Sequence, residues 1–360
     1  MRFSEKRPFS VMLPRGTVRG SVVVLHGLNM KPECMLELAA VCAEAGMAVV
    51  LGSLRGHGEQ SPIGAWATVT SEDWLADAAA CRNEAIRLAA GNPVWLIGFS
   101  LGAACGFAEY LQRIERERKP ATSCRSRHKT EHPVQVSTTT SCRSRHKTEH
   151  PVQVSTTTSC CSRHKTEHPV QVSTTTSCRS AAGGPPCPHA ACGLAEYLQN
   201  IKKKPETDVP RPFRGYAGII LFSPAIRLRP WAHAVRLLFP WPRIRLSSLA
   251  GVRYQVHDHT SIAAYRALFA LRRLIRTELS RVRRGLETCP LPPLTIIYDA
   301  RDILTAGRAL GRWLPGETVP AFHRVRAKNT WHHLITDRRA LGDEAWQKLT
   351  RLIREMLDSG

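Results

Sequence analysis

Val94-Trp95-Leu96-Ile97-Gly98-Phe99-Ser100-Leu101-Gly102 reads as a short apolar strand that runs straight into a Gly-x-Ser-x-Gly turn. Val94–Ile97 is an unbroken apolar run of the kind buried on both faces of a parallel sheet. Ala103 to Gln112 then reads as a helix. A strand that turns at once into a helix forces the middle residue into a strained backbone and pushes its side chain outward. A Cβ at Gly98 or Gly102 would strike the neighbouring chain there. Ser100 is therefore the candidate nucleophile. The competing reading, a glycine-rich packing turn with an incidental serine, is weighed by what lies at the other strand ends.

Outward from this turn, strands alternate with helices. Ser21–Leu25 and Ala48–Leu51 are short apolar strands, with an amphipathic helix over Glu33–Ala45 between them. Ser71 is expected to cap a helix that runs to about Ala90 and is stopped by Gly91-Asn92-Pro93. Gly218–Phe222 and Leu294–Tyr298 are further buried strands, followed by a strand near Phe322–Val325. A C-terminal helix from Asp343 carries one apolar stripe, including Trp346, Leu349, Ile353 and Leu357. The pattern predicts an α/β fold: a mostly parallel sheet with helices on both faces, and chemistry outside the carboxyl ends of the strands.

The strand exits carry reactive residues. After Ser21–Leu25 comes His26-Gly27-Leu28-Asn29, where the Leu28 N–H can join the Leu101 N–H as a pair of oxyanion donors; His26 itself reads as structural. After Ala48–Leu51, the turn Arg55-Gly56-His57-Gly58 shapes the floor of the site. After Leu294–Tyr298 come Asp299 and Asp302. Asp299 lies at the strand edge and holds the turn, whereas Asp302 sits one turn further, where an acid can orient a histidine. After the last strand, His332 and His333 are adjacent, so at most one can serve Ser100 as general base.

The order Ser…Asp…His, with His26-Gly27, Arg55-Gly56-His57-Gly58, Gly98-x-Ser100-x-Gly102, the acid segment ending on Asp302 and His333-Leu334-Ile335-Thr336, resembles the α/β-hydrolase superfamily. Within it the chain is similar to small esterases and monoacylglycerol-lipase-like serine hydrolases. The resemblance implies an α/β-hydrolase fold with a helical cap, and a Ser100-His333-Asp302 triad with the N–H groups of Leu28 and Leu101 as oxyanion hole. The Ile-Thr after the histidine selects His333 over His332. The implied activity is cleavage of carboxylic esters of an acyl or lipid-like small molecule through an acyl-enzyme, with no cofactor and no metal. Acyl-thioesterase and lysophospholipase activities use the same machinery. Ser53 departs from the family, which often has an acid before its R-G-H-G turn.

A long insertion interrupts this pattern. Residues 123–140 recur at 141–158 and again at 159–176, where Cys161 replaces an arginine. Ala104–Gln112 returns with one change as Ala191–Gln199, 87 residues later (191 − 104 = 87). The repeat unit has two valines and almost no other apolar side chain, so it has no face to stack and is expected to be disordered. Ser100 and Asp302 are 202 residues apart, and 202 − 87 = 115 suits the family. The expected organisation is core over 1–112, insertion over 113–200, core over 201–223, helical cap over 224–290 and core over 291–360. Cys124, His128 and His132 have C-x3-H-x3-H spacing, but one copied unit without folded support is a weak metal site. The insertion also raises a contrary reading, an inactive hydrolase-like scaffold.

The net charge is +22, and residues 224–290 hold thirteen arginines against Asp258, Glu278 and Glu287. A basic cap suits peripheral contact with an anionic membrane; no nucleic-acid motif accompanies it, so no specific nucleic acid is expected. Seven of the twelve cysteines lie in 121–192, and the other five are scattered as reduced thiols would be. Met1–Arg15 has no apolar stretch of a secretory signal, and no apolar run is long enough for a membrane span. A soluble, cytoplasmic chain is the expectation.

Overall fold

Val22 and Val24 face one apolar layer while Val23 and Leu25 face another. Trp95 and Ile97 alternate with Val94 and Leu96 in the same way, as do Ile220 and Phe222 with Ile219 and Leu221. Successive side chains of a strand point to opposite faces, so a strand covered on both sides must be apolar at nearly every position. The computed structural model of the chain describes residues 8–58, 66–118, 215–241, 243–248, 251–284, 291–314, 320–329 and 332–359.

The strands are β1 (Phe9–Met12), β2 (Gly20–Leu25), β3 (Met47–Gly52), β4 (Val94–Phe99), β5 (Gly218–Phe222), β6 (Arg245–Ser247), β7 (His259–Ser261), β8 (Leu294–Asp299) and β9 (Ala321–Val325). Seven of them form one sheet in the order β1-β3-β2-β4-β5-β8-β9. All its pairings are parallel except that of the edge strand β1 with β3. β6 and β7 make a separate antiparallel ribbon.

Helices cover both faces. α1 (Leu36–Glu44) lies on one face with the C-terminal helix α6 (Asp343–Asp358), which follows the short α5 (Arg338–Leu341). The other face holds α2 (Ser71–Ala89), α3 (Leu101–Arg118) and α4 (Ile262–Arg283). The stripe Trp346, Leu349, Ile353 and Leu357 of α6 is buried as its spacing predicts.

Three local expectations change. The cap of α2 is Thr70, not Ser71: its hydroxyl accepts from the Asp73 N–H, and the Asp73 carboxylate accepts from the Thr70 N–H. That reciprocal pair requires an acid three residues on, which Thr70 has and Ser71 lacks. The first helix starts at Leu36 after a 3-10 turn over Pro32–Met35, because Pro32 suits a helix start and not its interior. Helix α3 continues to Arg118 instead of ending at Gln112. Its eighteen residues span about 27 Å, so its far end lies well away from Ser100. The repeats, the duplicated Ala191–Gln199 and Cys124, His128 and His132 lie outside the described residues.

Residues 224–284 fall into two kinds. α4 packs along α3, burying Ala264, Ala267, Leu271, Ile275 and Leu279 in the same layer as Phe107, Ala108 and Leu111. The segment before it arches over the carboxyl ends of the strands and is tied down at both sides. Arg229 N–H donates to the Leu304 carbonyl and Ala306 N–H to the Arg227 carbonyl. Farther on, Lys31 N–H donates to the Tyr254 carbonyl, and the Asn29 side chain exchanges hydrogen bonds with the His257 backbone. No helix among the described residues is long and apolar enough to cross a membrane.

Candidate active site

Ser100 follows β4 with φ of +50°, the left-handed region that side chains other than glycine rarely occupy. Three backbone bonds hold it there. Its N–H donates to the Phe222 carbonyl at 2.9 Å, while its own carbonyl accepts from Ala104 at 3.2 Å and Ala225 at 3.0 Å. A Cβ on Gly98 would lie 2.5 Å from the Ala103 backbone, and one on Gly102 would run into the backbone of Leu25 and His26.

His333 lies between Ser100 and Asp302. Its Nε2 is 2.9 Å from Ser100 Oγ, and its Nδ1 is 2.8 Å from Asp302 Oδ2. The Phe99 ring packs against the imidazole with centroids 5.1 Å apart. Asp302 is 1 % exposed and fully engaged. Oδ1 accepts from the N–H groups of Leu304 and Thr305, and Oδ2 accepts from Thr305 Oγ1 at 2.6 Å as well as from the imidazole. Burial by itself raises the pKa of this carboxyl. The charge and hydrogen bond of His333, with the Thr305 bonds, more than offset it and hold the pKa below the usual carboxylate value. An ionised Asp302 can only accept, so Nδ1 carries the imidazole proton and Nε2 is left to accept from the serine hydroxyl.

The two rejected neighbours have other partners. Asp299 accepts from the Arg301 side chain and N–H and from the Ala327 N–H, so it holds the turn. Desolvation opposes its ionisation, but these bonds keep its pKa below the usual value. His332, at φ of +52°, turns its Nδ1 toward the Ala327 carbonyl.

Among the described residues, no acceptor takes the N–H of Leu28 or of Leu101. Leu101 opens α3, where first-turn N–H groups have no partner within the helix. Gly27 is required here for space and not for its torsion: a Cβ would lie 2.7 Å from the Phe99 ring. Two buried histidines then fix the loop that carries Leu28. His57 Nε2 accepts from Asn29 N–H at 3.0 Å, and His26 Nε2 accepts from Leu54 N–H at 3.1 Å. Each therefore donates from Nδ1 to a carbonyl, His26 to Gly27 and His57 to Leu54.

That arrangement requires neutral rings. Desolvation lowers the pKa of His26 from 6.5 to about 4, with the Gly27 bond opposing it, and lowers that of His57 as well. The unfolded chain takes up a proton as pH falls through 6.5, while the folded chain resists until about 4. Stability is thus full above about 6.5 and is lost as pH falls toward 4, on the order of 3 kcal/mol for His26. We expect the stability gap between wild type and His26→Gln, from urea unfolding, to narrow by that amount between pH 7 and pH 4. A gap independent of pH would remove the argument.

A cavity of about 500 Å³ opens above these groups. Ser100, His333 and Leu28 lie at its base, with Leu228, Trp231, Val235, Leu268 and Phe269 among its apolar walls. Among the described residues that line it there is no aspartate or glutamate. No group of three or more His, Cys, Asp or Glu side chains among the described residues is placed to hold a metal. Two contributors escaped the sequence reading. Thr305 completes the Asp302 shell, a D-x-x-T turn that could have been recognised. Arg229 clamps the same loop through the carbonyls of Ala300 and Asp302, for which no local signal exists.

Residues 16–137 match the family model described as serine aminopeptidase, S33, a stretch that includes Ser100 and ends before Asp302 and His333. No curated protein matches the chain in sequence. Solved structures share its fold. One comes from work on two metagenome-derived lipolytic enzymes, LipS and LipT, with TM-score 0.53, 16% identity and 98% of both chains covered. A second is the monoacylglycerol lipase of Paleococcus ferrophilus, with TM-score 0.51, 15% identity and 98% of both chains covered. A third is a soluble variant of the Saccharomyces cerevisiae monoglyceride lipase bound to a substrate analogue. Its TM-score is 0.53 at 12% identity, over 98% of this chain and 91% of that one.

Proposed function

From a chain that has the α/β-hydrolase fold, we propose that this protein is a serine hydrolase that cleaves carboxylic esters of acyl or lipid-like substrates. The observation that carries this reading is the continuous run of hydrogen-bond contacts from Ser100 Oγ through His333 to Asp302. Ser100 Oγ attacks the ester carbonyl as His333 Nε2 takes its proton, and Asp302 stabilises the imidazolium that forms. The carbonyl oxygen becomes an oxyanion facing the N–H groups of Leu28 and Leu101. The tetrahedral species collapses, the C–O bond to the alcohol breaks, and the imidazolium returns its proton to the leaving alkoxide. Water then repeats the sequence on the acyl-enzyme and frees the acid.

The cavity lining favours an acyl chain over a peptide N-terminus. An aminopeptidase must hold a substrate ammonium, and no carboxylate among the described lining residues could pair with one. A thioester or a lysophospholipid would use the same groups. A fluorophosphonate probe tests the reading: it should label one site, Ser100, and labelling should vanish in Ser100→Ala. A folded wild type that stays unlabelled would sink the enzyme reading in favour of an inactive scaffold. A series of nitrophenyl esters of increasing chain length then measures how much acyl chain the cavity accepts.

The arching segment also supports a peripheral contact with an anionic membrane. Trp231, Leu237 and Trp241 are exposed on it, at 53%, 75% and 57%, within the arginine-rich stretch. We expect co-sedimentation with anionic vesicles at low salt and release at about 0.5 M salt, where charge attraction is screened. Partitioning that ignores salt, or none, would count against it.

A further inference from the structure

Beside the cavity that holds Ser100 lies a larger one of about 1030 Å³, and the two share Leu228 and Phe269. Among the described residues, seven arginines line it and no carboxylate does. Arg229 is committed to backbone carbonyls of the acid loop. The other six are Arg227, Arg236, Arg266, Arg272, Arg273 and Arg276. Among the described residues none of the six pairs with an acid.

Like charges gathered in a concavity repel one another, and the innermost feels it most. Arg272 is 7% exposed, and its guanidinium donates from Nε to the Ile226 carbonyl and from Nη2 toward His233 Nε2. Burial, then Arg227 and Arg236, pull its pKa down to about 10. The pKa of His233 is lowered by burial, then by Arg272, Arg236 and Arg227, which leaves it able to accept from Arg272. The guanidinium planes are positioned by rings, contacts that use up no N–H donor. Arg272 stacks at 4.8 Å from the centroid of Phe269, and Arg227 at 5.2 Å from that of Trp313. A concave set of oriented guanidinium forks without a counter-charge matches the oxygens of a phosphate group, which can accept from two forks at once.

We propose that this cavity is a phosphate subsite adjoining the acyl cavity, and that the preferred substrate is an acyl ester whose alcohol portion carries a phosphate monoester. The substrate assignment rests on the ester-hydrolase reading above. The anion site stands on the arginine geometry alone.

Two arms of one experiment separate these. Calorimetry with glycerol 3-phosphate on the full-length Ser100→Ala chain should show binding, weakened about tenfold or more in Ser100→Ala/Arg236→Gln/Arg276→Gln. Arg236 and Arg276 are exposed, so their replacement leaves the core intact. Steady-state kinetics on the active chain should favour a 1-acylglycerol 3-phosphate over the 1-acylglycerol of equal chain length by about tenfold in kcat/KM, and Arg236→Gln/Arg276→Gln should erase most of that ratio. Absence of binding overturns the site. Binding with equal rates on the two esters marks a site for free phosphate and overturns the substrate assignment. Binding with neither ester cleaved would sink the hydrolase reading and the substrate assignment with it, while upholding the anion site.

Discussion

Ser100→Ala should lose roughly 10⁵-fold in kcat on a nitrophenyl ester, and His333→Ala a similar factor. The double variant should lose little more than either alone, because nucleophile and base act as one unit. Asp302→Asn is the more informative change, with an expected loss of about 10⁴-fold. Asp302 Oδ1 accepts two backbone N–H bonds, from Leu304 and Thr305, so an asparagine must place its carbonyl oxygen there. Its NH₂ then takes the place of Oδ2, beside Thr305 Oγ1 and His333 Nδ1. The threonine hydroxyl can turn to accept. The imidazole cannot donate to an NH₂, so it moves its proton to Nε2, where Ser100 Oγ needs an acceptor. Circular dichroism should show all four variants folded. A Ser100→Ala chain within tenfold of wild type would overturn the mechanism.

The sheet was legible in the sequence because its central strands are buried on two faces and so consist of unbroken apolar runs. What failed to announce itself lacked such a pattern. β1 buries only Ser10 of its four residues, and β6 and β7 are three residues each. A strand that short carries no period, and pairing alone defines it. The candidate site was legible for a different reason: strand exits in an α/β sheet are few, and three of them held Ser100, Asp302 and the His332-His333 pair. Of the supporting groups, Thr305 bonds Asp302 within one turn and was open to reading, whereas Arg229 acts on the Asp302 loop only after residues 227–229 return to 304–306. The arginines of the second cavity were visible as charge, but not as a concave cluster, because they come from the arching segment and from α4. Legibility followed locality.

Gly102→Ala should damage both rate and stability despite adding a single methyl. Its new Cβ would meet the backbone atoms of Leu25 and His26 closer than real Cβ contacts allow. Backbone cannot rotate aside as a side chain can, so α3 must retreat from β2. That retreat stretches the bond from Gly102 N–H to the His26 carbonyl, now 2.9 Å. Three functional groups share this joint: Ser100 before the glycine, Leu101 N–H beside it, and Leu28 two residues beyond His26. A shift approaching 1 Å at a reacting group costs about 10²-fold, and overpacking a core costs about 1–3 kcal/mol. We expect kcat/KM to fall by about 10² or more and the urea midpoint to drop accordingly. Gly106→Ala, whose Cβ would have side-chain atoms of Leu96 as its nearest neighbours, should lose stability with a much smaller change in rate. Gly16→Ala, which faces open space, should change neither. A Gly102→Ala chain that keeps the wild-type rate would mean that the junction of β4, α3 and β2 does not set the geometry of Ser100. The strain stored at φ of +50° would then have to be held by the Phe222 and Ala225 bonds alone.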